Sequence, residues 1–214
     1  MTATEHSDRA RTWQLVSALL QYPDAELLAQ RSALADAARA VATREARDPL
    51  VRFTGWYSAA EPMALAQHYV ATFDLRRRSS LYLTYYLHGD TRRRGTALLA
   101  LKQSYRAAGL APPDDELPDF LPVVCEFAAL AGPKPGESPL RQHRAGIELI
   151  RTSLHEAGSP YAEVLDALCT LLPELSPTGW QRLRQIASDG PPAEEVGLAP
   201  YGPPELVHGT EVRS

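Results

Sequence analysis

The chain has few of the residues that build metal centres or disulfide frameworks. It contains two cysteines, Cys125 and Cys169, each inside an apolar stretch with helical spacing and neither in a CxxC pair. The histidines are scattered and form no HExxH or HxxxH pattern. They are His6, His68, His88, His143, His155 and His208. We therefore predict buried free thiols and no metal site.

Motifs of covalent catalysis, nucleotide binding and membrane insertion are also missing. There is no GxSxG turn, and Gly89–Gly95 (GDTRRRG) lacks the spacing of GxGxxG and GxxxxGK[ST] loops. No run approaches the ~18 apolar residues of a membrane span, and the amino-terminal MTATEHSDRARTW lacks the apolar core of a signal peptide. The net charge of −4 and a pI near 5.9 disfavour nucleic acid as a partner. These absences predict a cytoplasmic protein that is not an enzyme.

Apolar residues recur with helical spacing along most of the chain. The first such face carries Trp13, Val16, Leu19 and Leu20. No segment alternates with period two over a convincing length, and there are no internal repeats. We therefore predict an all-α fold with one helical domain over residues 1–187. Residues 188–214 contain five prolines and four glycines, and we predict that they form a disordered tail.

Capping and breaking residues predict where individual elements begin and end. Asp24 is placed to cap a helix, and Asp48 before Pro49 is typical of the start of a short helix over 48–57. Leu81–Tyr86 has β-like content, but we assign it to a central helix. Its narrow polar strip comprises Arg77, Ser80, Thr84 and His88. The Pro- and Gly-rich segment 132–139 is the best candidate for a hinge.

The chemically distinctive part of the chain is His68–Gly109. It holds five of the nine tyrosines, flanked by two arginine triplets, Arg76–Arg78 and Arg92–Arg94. The tyrosines are Tyr69, Tyr82, Tyr85, Tyr86 and Tyr105. Aromatic rings with hydroxyl groups, framed by guanidinium groups and acids, suit a surface that binds a flexible, amphipathic partner.

The second arginine triplet occupies the first turn of a helix predicted over 91–108. Asp90 is placed to cap this helix and Gly109 to end it. We assign a structural role to Asp90, Gly95 and Gly109. The helix dipole disfavours cations in a first turn by about 0.3–1 kcal/mol each, so an anion should compensate.

Arg94 shares a helix face with apolar residues, so we predict that it is structural and paired with an internal acid, Asp90 or Asp74. Arg92 and Arg93 are candidates for an anion subsite, for instance for the phosphates of a cofactor in transit. The alternative for the whole triplet is a network of surface ion pairs.

The chain resembles the NarJ family, the assembly chaperones of respiratory nitrate reductase, within the TorD-like group of molybdoenzyme chaperones. The family pattern YVxTFDLxRRxSLYLTYYxxGDTRxRG is met at Tyr69–Gly95. Lys102 follows, then YRxAG at Tyr105–Gly109 and ELPDxLPVVxEF at Glu116–Phe127. The resemblance implies a single-domain multi-helix bundle of the TorD-like type.

The resemblance also implies the ligand, an amphipathic helical leader peptide with a basic end, which an aromatic groove with acids at its rim would suit. The candidates for binding this client peptide are Tyr69, Phe73, Asp74, Tyr82, Tyr85, Tyr86, Asp119, Phe120 and Glu126. Aromatic residues at helical spacing also build cores, and we expect at least half of the tyrosines to be buried. The family usually places a histidine after the aspartate at 119. Phe120 stands there instead, which removes the Asp–His pair of the wider group.

The function implied by the resemblance is that of a system-specific chaperone. Such a protein binds the apo-catalytic (alpha) subunit of nitrate reductase, chiefly at its N-terminal segment. It keeps that subunit competent for molybdenum cofactor insertion and membrane docking. No cofactor is expected to bind stably, since the client's molybdenum cofactor is met only in transit, and cofactor-biosynthesis proteins are further candidate partners. The alternatives are a TorD-like chaperone for another molybdoenzyme and a helical nucleotide-binding enzyme that uses Gly89–Gly95.

Overall fold

The structure is a computed structural model, and it describes residues 3–111 and 115–190. These residues form twelve α-helices and, apart from one isolated antiparallel bridge between Tyr82 and Phe120, no β-structure. The prediction of an all-α fold is confirmed. The helices are α1 (Ala3–Leu19), α2 (Ala25–Ala29), α3 (Arg31–Arg39), α4 (Arg44–Ala59), α5 (Pro62–Tyr69), α6 (Leu83–His88), α7 (Arg92–Ala107), α8 (Leu121–Ala131), α9 (Ser138–Gln142), α10 (Arg144–Glu156), α11 (Tyr161–Thr170) and α12 (Pro177–Asp189).

The core is built around α1, which packs on α8 and α11. The inner face of α1 is buried, as its spacing predicts, and carries Trp13, Val16, Leu19 and Leu20. Each such side chain contributes about 1.5–3 kcal/mol on full burial. The hydroxyl of Ser17 donates to the carbonyl of Pro122 at 2.8 Å, so a polar contact sets the register of α1 against α8.

A second part of the core is aromatic and surrounds Tyr161, the first residue of α11. The ring of Tyr161 lies 5.0 Å from that of Phe53, 4.8 Å from that of Phe73 and 5.9 Å from that of Tyr69, centroid to centroid. Aromatic pairs at such separations contribute about 0.5–1.5 kcal/mol beyond their buried area. This cluster joins α4, α5 and the π-helical turn Val70–Asp74 to α11.

One buried carboxylate fastens the predicted hinge at 132–139 to the rest of the fold. Glu137 is 2 % exposed and accepts a hydrogen bond from Nε1 of Trp13 at 3.0 Å. It also forms ion pairs with Arg9 of α1 and with Arg141 of α9. Arg9 reaches the carbonyl of Leu171 as well. Through Glu137, the loop is therefore anchored to α1 on one side and to α9 on the other.

The predicted helix start at Asp48 is wrong. Helix α4 begins at Arg44, and the amide of Arg47 donates to the carbonyl of Thr43 at 2.9 Å to close its first turn. Pro49 lies inside the helix, where its missing N–H removes one backbone bond. The helix tolerates this loss because its buried face starts upstream of the proline; that face includes Ala46, Pro49, Leu50 and Phe53.

The predicted helix through Leu81–Tyr86 is only partly right, since α6 begins at Leu83. The preceding residues pair with a distant segment instead. The amide of Leu121 donates to the carbonyl of Leu81 at 2.8 Å, and the amide of Leu83 donates to the carbonyl of Asp119 at 3.0 Å. Arg77–Ser79 forms a separate 3₁₀ turn. Long-range pairing therefore overrides the local preference for one continuous helix.

The predicted tail begins inside the last helix. Ser188 and Asp189 complete α12, and Gly190 follows with φ +76°. The rest of the predicted tail, residues 191–214, lies outside the described residues.

Candidate functional site

The motif segment at 82–88 is joined to the ELPDF turn by Asp119. This residue is fully buried, and its Oδ2 accepts hydrogen bonds from the backbone amide of Thr84, at 3.0 Å, and from the hydroxyl of the same residue. The carboxylate thereby satisfies the first turn of α6. Its Oδ1 has no hydrogen-bond donor among the described residues. We assigned Asp119 to client binding, but in this conformation its side chain is closed to a partner and supports α6.

Arg94 supplies the positive charge beside this buried carboxylate. Its Nη2 lies 3.9 Å from Oδ2 of Asp119, and its Nη1 lies 3.2 Å from Oδ1 of Asp90. Its Nε donates to the hydroxyl of Thr84 at 3.3 Å. The prediction of an internal acidic partner is confirmed for Asp90, whereas Asp119 is a partner that the sequence did not indicate.

The assignment of Asp90 as a helix cap is wrong. Thr91 occupies the N-cap position of α7, and Asp90 is exposed and pairs with Arg94 one turn further on. Among the other residues assigned a structural role, Gly109 ends α7 with φ +76°, a backbone conformation that favours glycine. Gly95 lies within α7, and a Cβ atom there would meet nothing within 4 Å.

A half-buried surface in front of this network combines aromatic rings with acids. The rings of Tyr82 and Phe120 lie 5.3 Å apart, and the hydroxyl of Tyr82 donates to Glu116 at 3.1 Å. The exposed carboxylate of Asp74 is close enough for its charge to act on Tyr82. We call these four residues, Tyr82, Phe120, Glu116 and Asp74, the Tyr82 patch.

Electrostatics gives the Tyr82 patch a negative character. Partial burial, followed by the charge of Glu116, raises the pKa of Tyr82 to about 12, so its hydroxyl stays protonated and donates to Glu116. The guanidinium carbon of Arg94 lies 5.9 Å from the centroid of the Tyr82 ring, so the cation steadies the ring from one side. The patch offers aromatic faces and two carboxylates to a basic partner.

Three of the predicted binding aromatics are buried in the core instead. Tyr69 and Phe73 are each 4 % exposed, and Tyr86 is 3 % exposed. The hydroxyl of Tyr69 donates to the carbonyl of Leu20 at 3.1 Å, and that of Tyr86 donates to the carbonyl of Ser80 at 2.8 Å. Their side chains are not available to a peptide in this conformation, because the three rings pack inside the core. Aromatic side chains suit a core as well as a binding surface.

The remaining predicted residues lie at the surface. Tyr85 is half-buried and packs edge-on against Tyr86, and Glu126 is exposed on α8. Arg92 and Arg93 are exposed in the first turn of α7. Burial, followed by the charge of Arg93, lowers the pKa of His88. The structure therefore leaves Tyr82, Tyr85, Phe120, Asp74 and Glu126 open to a client.

The sequence did not indicate a cleft that the structure forms against Arg77, Arg78 and Tyr86. It lies between α10 and the end of α12 and has a volume of about 250 Å³. Arg77 and Arg78 form one wall, with Tyr86 and Leu149 beside them. The packing of α12, α6 and the 3₁₀ turn Arg77–Ser79 on α10 brings these residues together, so no local pattern could have found the cleft.

Within the ranges 3–111 and 115–190, no group of three or more His, Cys, Asp or Glu residues is arranged to hold a metal ion. In the same ranges no helix has the length and apolar character needed to cross a membrane. Both cysteines are free thiols, and burial raises the pKa of each.

Residues 33–167 match the family model described as nitrate reductase delta subunit. Because this match covers more than half of the chain, the chain belongs to that family, and the resemblance to NarJ is confirmed.

Individual relatives agree with this family. The chain is 44 % identical over 157 residues to the nitrate reductase-like protein NarX of Mycobacterium tuberculosis. This alignment covers 73 % of the present chain but only 24 % of NarX. It therefore spans about a quarter of NarX. It is 35 % identical over 166 residues to the probable nitrate reductase molybdenum cofactor assembly chaperone NarJ of Bacillus subtilis, covering 78 % of this chain and 90 % of that protein. The nitrate reductase molybdenum cofactor assembly chaperone NarJ of Escherichia coli is 31 % identical, and the alignment covers 73 % of this chain and 67 % of that protein.

Proposed function

We propose that this protein is a cytoplasmic assembly chaperone that binds the catalytic subunit of a nitrate reductase before its molybdenum cofactor is inserted. The observation that carries the proposal is the family match over residues 33–167, together with relatives named as cofactor assembly chaperones. The protein performs no covalent chemistry in this role. Its work is to bind the unfinished subunit better than the finished one.

The Tyr82 patch is the surface at which we place the N-terminal segment of the catalytic subunit. A basic amphipathic helix would lay apolar side chains on the rings of Tyr82 and Phe120 and direct its basic end to Glu116 and Asp74. The Tyr82 ring is held in place on one side, because Arg94 contacts it and pairs with buried Asp119. A patch supported in this way loses little side-chain freedom on binding, which favours affinity.

The molybdenum cofactor is met only while it is transferred to the client. The exposed guanidinium groups of Arg92 and Arg93 are suited to its phosphates, because arginine binds phosphate oxygens in a bidentate manner. This contact is transient, and cofactor-biosynthesis proteins are the partners that would bring the cofactor. Docking of the loaded client to its membrane anchor then follows release.

Co-purification tests the proposal. A tagged form of the full chain is expressed with the catalytic subunit, with or without its N-terminal segment, in cells that cannot make the cofactor. We expect capture of the intact subunit and loss of capture when the segment is removed. The pair Glu116→Gln and Asp74→Asn should weaken capture. Glu45→Gln, which removes an exposed carboxylate from α4, should not. Capture that is indifferent to the N-terminal segment would overturn the proposed binding site.

A second candidate function has the same mechanism but a different client, namely another molybdoenzyme. Leader peptides from the nitrate reductase and from any other molybdoenzyme of the same organism can be titrated against the same sample. Preference for the nitrate reductase peptide supports the proposal, and preference for the other peptide would reassign the client.

A further inference from the structure

Four basic side chains from four different helices lie near the start of α10. They are His88 at the end of α6, Arg93 in the first turn of α7, His143 directly before α10, and Arg182 in α12. Helix α10 packs on both α6 and α12. The hydroxyl of Thr91 donates to the carbonyl of His88 at 2.7 Å, so α7 starts beside the end of α6. We call His88, Arg93, His143 and Arg182 the basic cluster.

The charges of the basic cluster act on one another. After burial, which is the main cause, the charges of Arg93 and Arg182 lower the pKa of His88. Burial, followed by the charge of His88 and with that of Arg182, lowers the pKa of His143 as well. Among the described residues no carboxylate contributes to the pKa shift of either ring. Asp90, the nearest acid along the chain, forms its ion pair with Arg94 instead.

The basic cluster is not neutralised within the part of the chain that the structure describes. Arg93 and Arg182 are exposed, and neither forms an ion pair with another described residue. His143 is 6 % exposed, and its Nδ1 has no hydrogen-bond partner among the same residues. A single exposed arginine is commonly only solvated, whereas two arginines from distant segments beside one imidazole create a positive potential that attracts an anion. The helix dipole, which disfavours a cation in the first turn of α7, adds to that potential.

A phosphate group has the charge and the acceptors that match these donors. Guanidinium groups bind phosphate oxygens in a bidentate manner, and the half-buried ring of His88 offers a further nitrogen to the same group. A phosphate monoester carries about −1.5 to −2 charges at pH 7 and three strong acceptor oxygens, so two arginines can bind it from different sides. A carboxylate carries one charge and would leave one of the two guanidinium groups uncompensated.

We infer that His88, Arg93 and Arg182 form a binding site for a phosphate group, and that Arg182 brings α12 into contact with this ligand. The inference deepens the phosphate contact proposed for the first turn of α7, because it adds the end of α6 and the middle of α12 to it. It rests on the proposed function only for the source of the phosphate, which is the client's cofactor in transit. The bound anion bridges α7 and α12, and it therefore holds α12 on the fold.

Titration of the full chain with inorganic phosphate, followed by nuclear magnetic resonance, tests the inference. Phosphate should bind in the millimolar range or tighter and should move the ring signals of His88. Arg93→Gln and Arg182→Gln should each weaken binding about tenfold, because each removes a charge-assisted contact. Arg184→Gln removes an exposed arginine of α12 outside the basic cluster, so this control should bind phosphate as the unmodified chain does. Saturating phosphate should also slow amide hydrogen exchange across 177–189, because the anion bridges α7 and α12.

The outcomes separate this site from the proposed function. Equal phosphate affinities of Arg182→Gln and Arg184→Gln, or no saturation at millimolar phosphate, would overturn the inference. Peptide binding that is still weakened by Glu116→Gln would in either case leave the proposed function intact. Phenyl phosphate that binds more tightly than inorganic phosphate supports the site and assigns it to an organic phosphate such as a cofactor. Equal affinities for the two compounds support the site but assign it to the free anion, and the cofactor would then not be its ligand.

Discussion

Replacing Arg94 by alanine removes the cation beside a fully buried carboxylate. The nearest distance between Arg94 and Asp119 is 3.9 Å, and Coulomb's law with an effective dielectric constant of about 20 makes their attraction about 4 kcal/mol. The pair with exposed Asp90 adds little, typically less than about 1 kcal/mol. Because the Arg94 side chain is 20 % exposed, water replaces part of what is lost. We therefore expect Arg94→Ala to lower the free energy of unfolding by about 1–3 kcal/mol.

Urea denaturation measures this change as a lower midpoint with an unchanged slope. Arg93→Ala is the matched control, since Arg93 is exposed in the same turn and should leave the midpoint alone. In an Asp119→Asn background the cost of Arg94→Ala should shrink, because a neutral amide needs no cation but still offers an oxygen to Thr84. An unchanged midpoint for Arg94→Ala together with lost peptide binding would refute this reasoning and make Arg94 a binding residue.

Two other buried groups should also govern stability. Glu137→Ala removes the acceptor that Arg9, Arg141 and the indole N–H of Trp13 share, while both partly exposed arginines keep backbone carbonyl partners, so we expect a loss of about 2–3 kcal/mol in urea denaturation. Glu156→Ala, at an exposed site, serves as its control, and equal midpoints would contradict the prediction. Burial, with smaller effects of His88 and Arg182, lowers the pKa of His143 to about 4. The unfolded chain therefore binds the proton first, and stability should fall by up to about 3 kcal/mol between pH ~6.5 and pH ~4. His143→Gln should flatten this part of the profile, and parallel profiles would show that His143 does not titrate there.

Local signals in the sequence predicted those elements that local forces determine. The buried face of α1 follows from the spacing of Trp13 and Val16, and the start of α2 follows from Asp24, which accepts a hydrogen bond from the amide of Leu27 at 2.8 Å. Gly109 ends α7 with a positive φ, as predicted. Each of these features depends on residues within one or two turns of one another, and a single sequence records such relations directly.

Relations between distant segments could not be predicted in the same way. Leu81 and Tyr82 are extended because their backbone pairs with 119–121, and nothing near them in the chain shows this. Asp119 was assigned to binding because the family usually places a histidine after this aspartate, yet the amide and hydroxyl of Thr84 hold it in the interior. The tyrosines divide between core and surface by the same long-range packing. Composition indicates an aromatic site but not which rings face outward.

The most direct test of the account is a calorimetric titration of the full chain with the N-terminal peptide of the nitrate reductase catalytic subunit at several temperatures. Contact between apolar side chains and the rings of Tyr82 and Phe120 predicts micromolar or tighter binding with a negative heat-capacity change. The Glu116→Gln and Asp74→Asn pair should bind the peptide more weakly, while Glu45→Gln binds it as the unmodified chain does. A peptide that gives no heat and no chemical-shift change at saturating concentration would contradict the central claim that this protein receives its client through that segment.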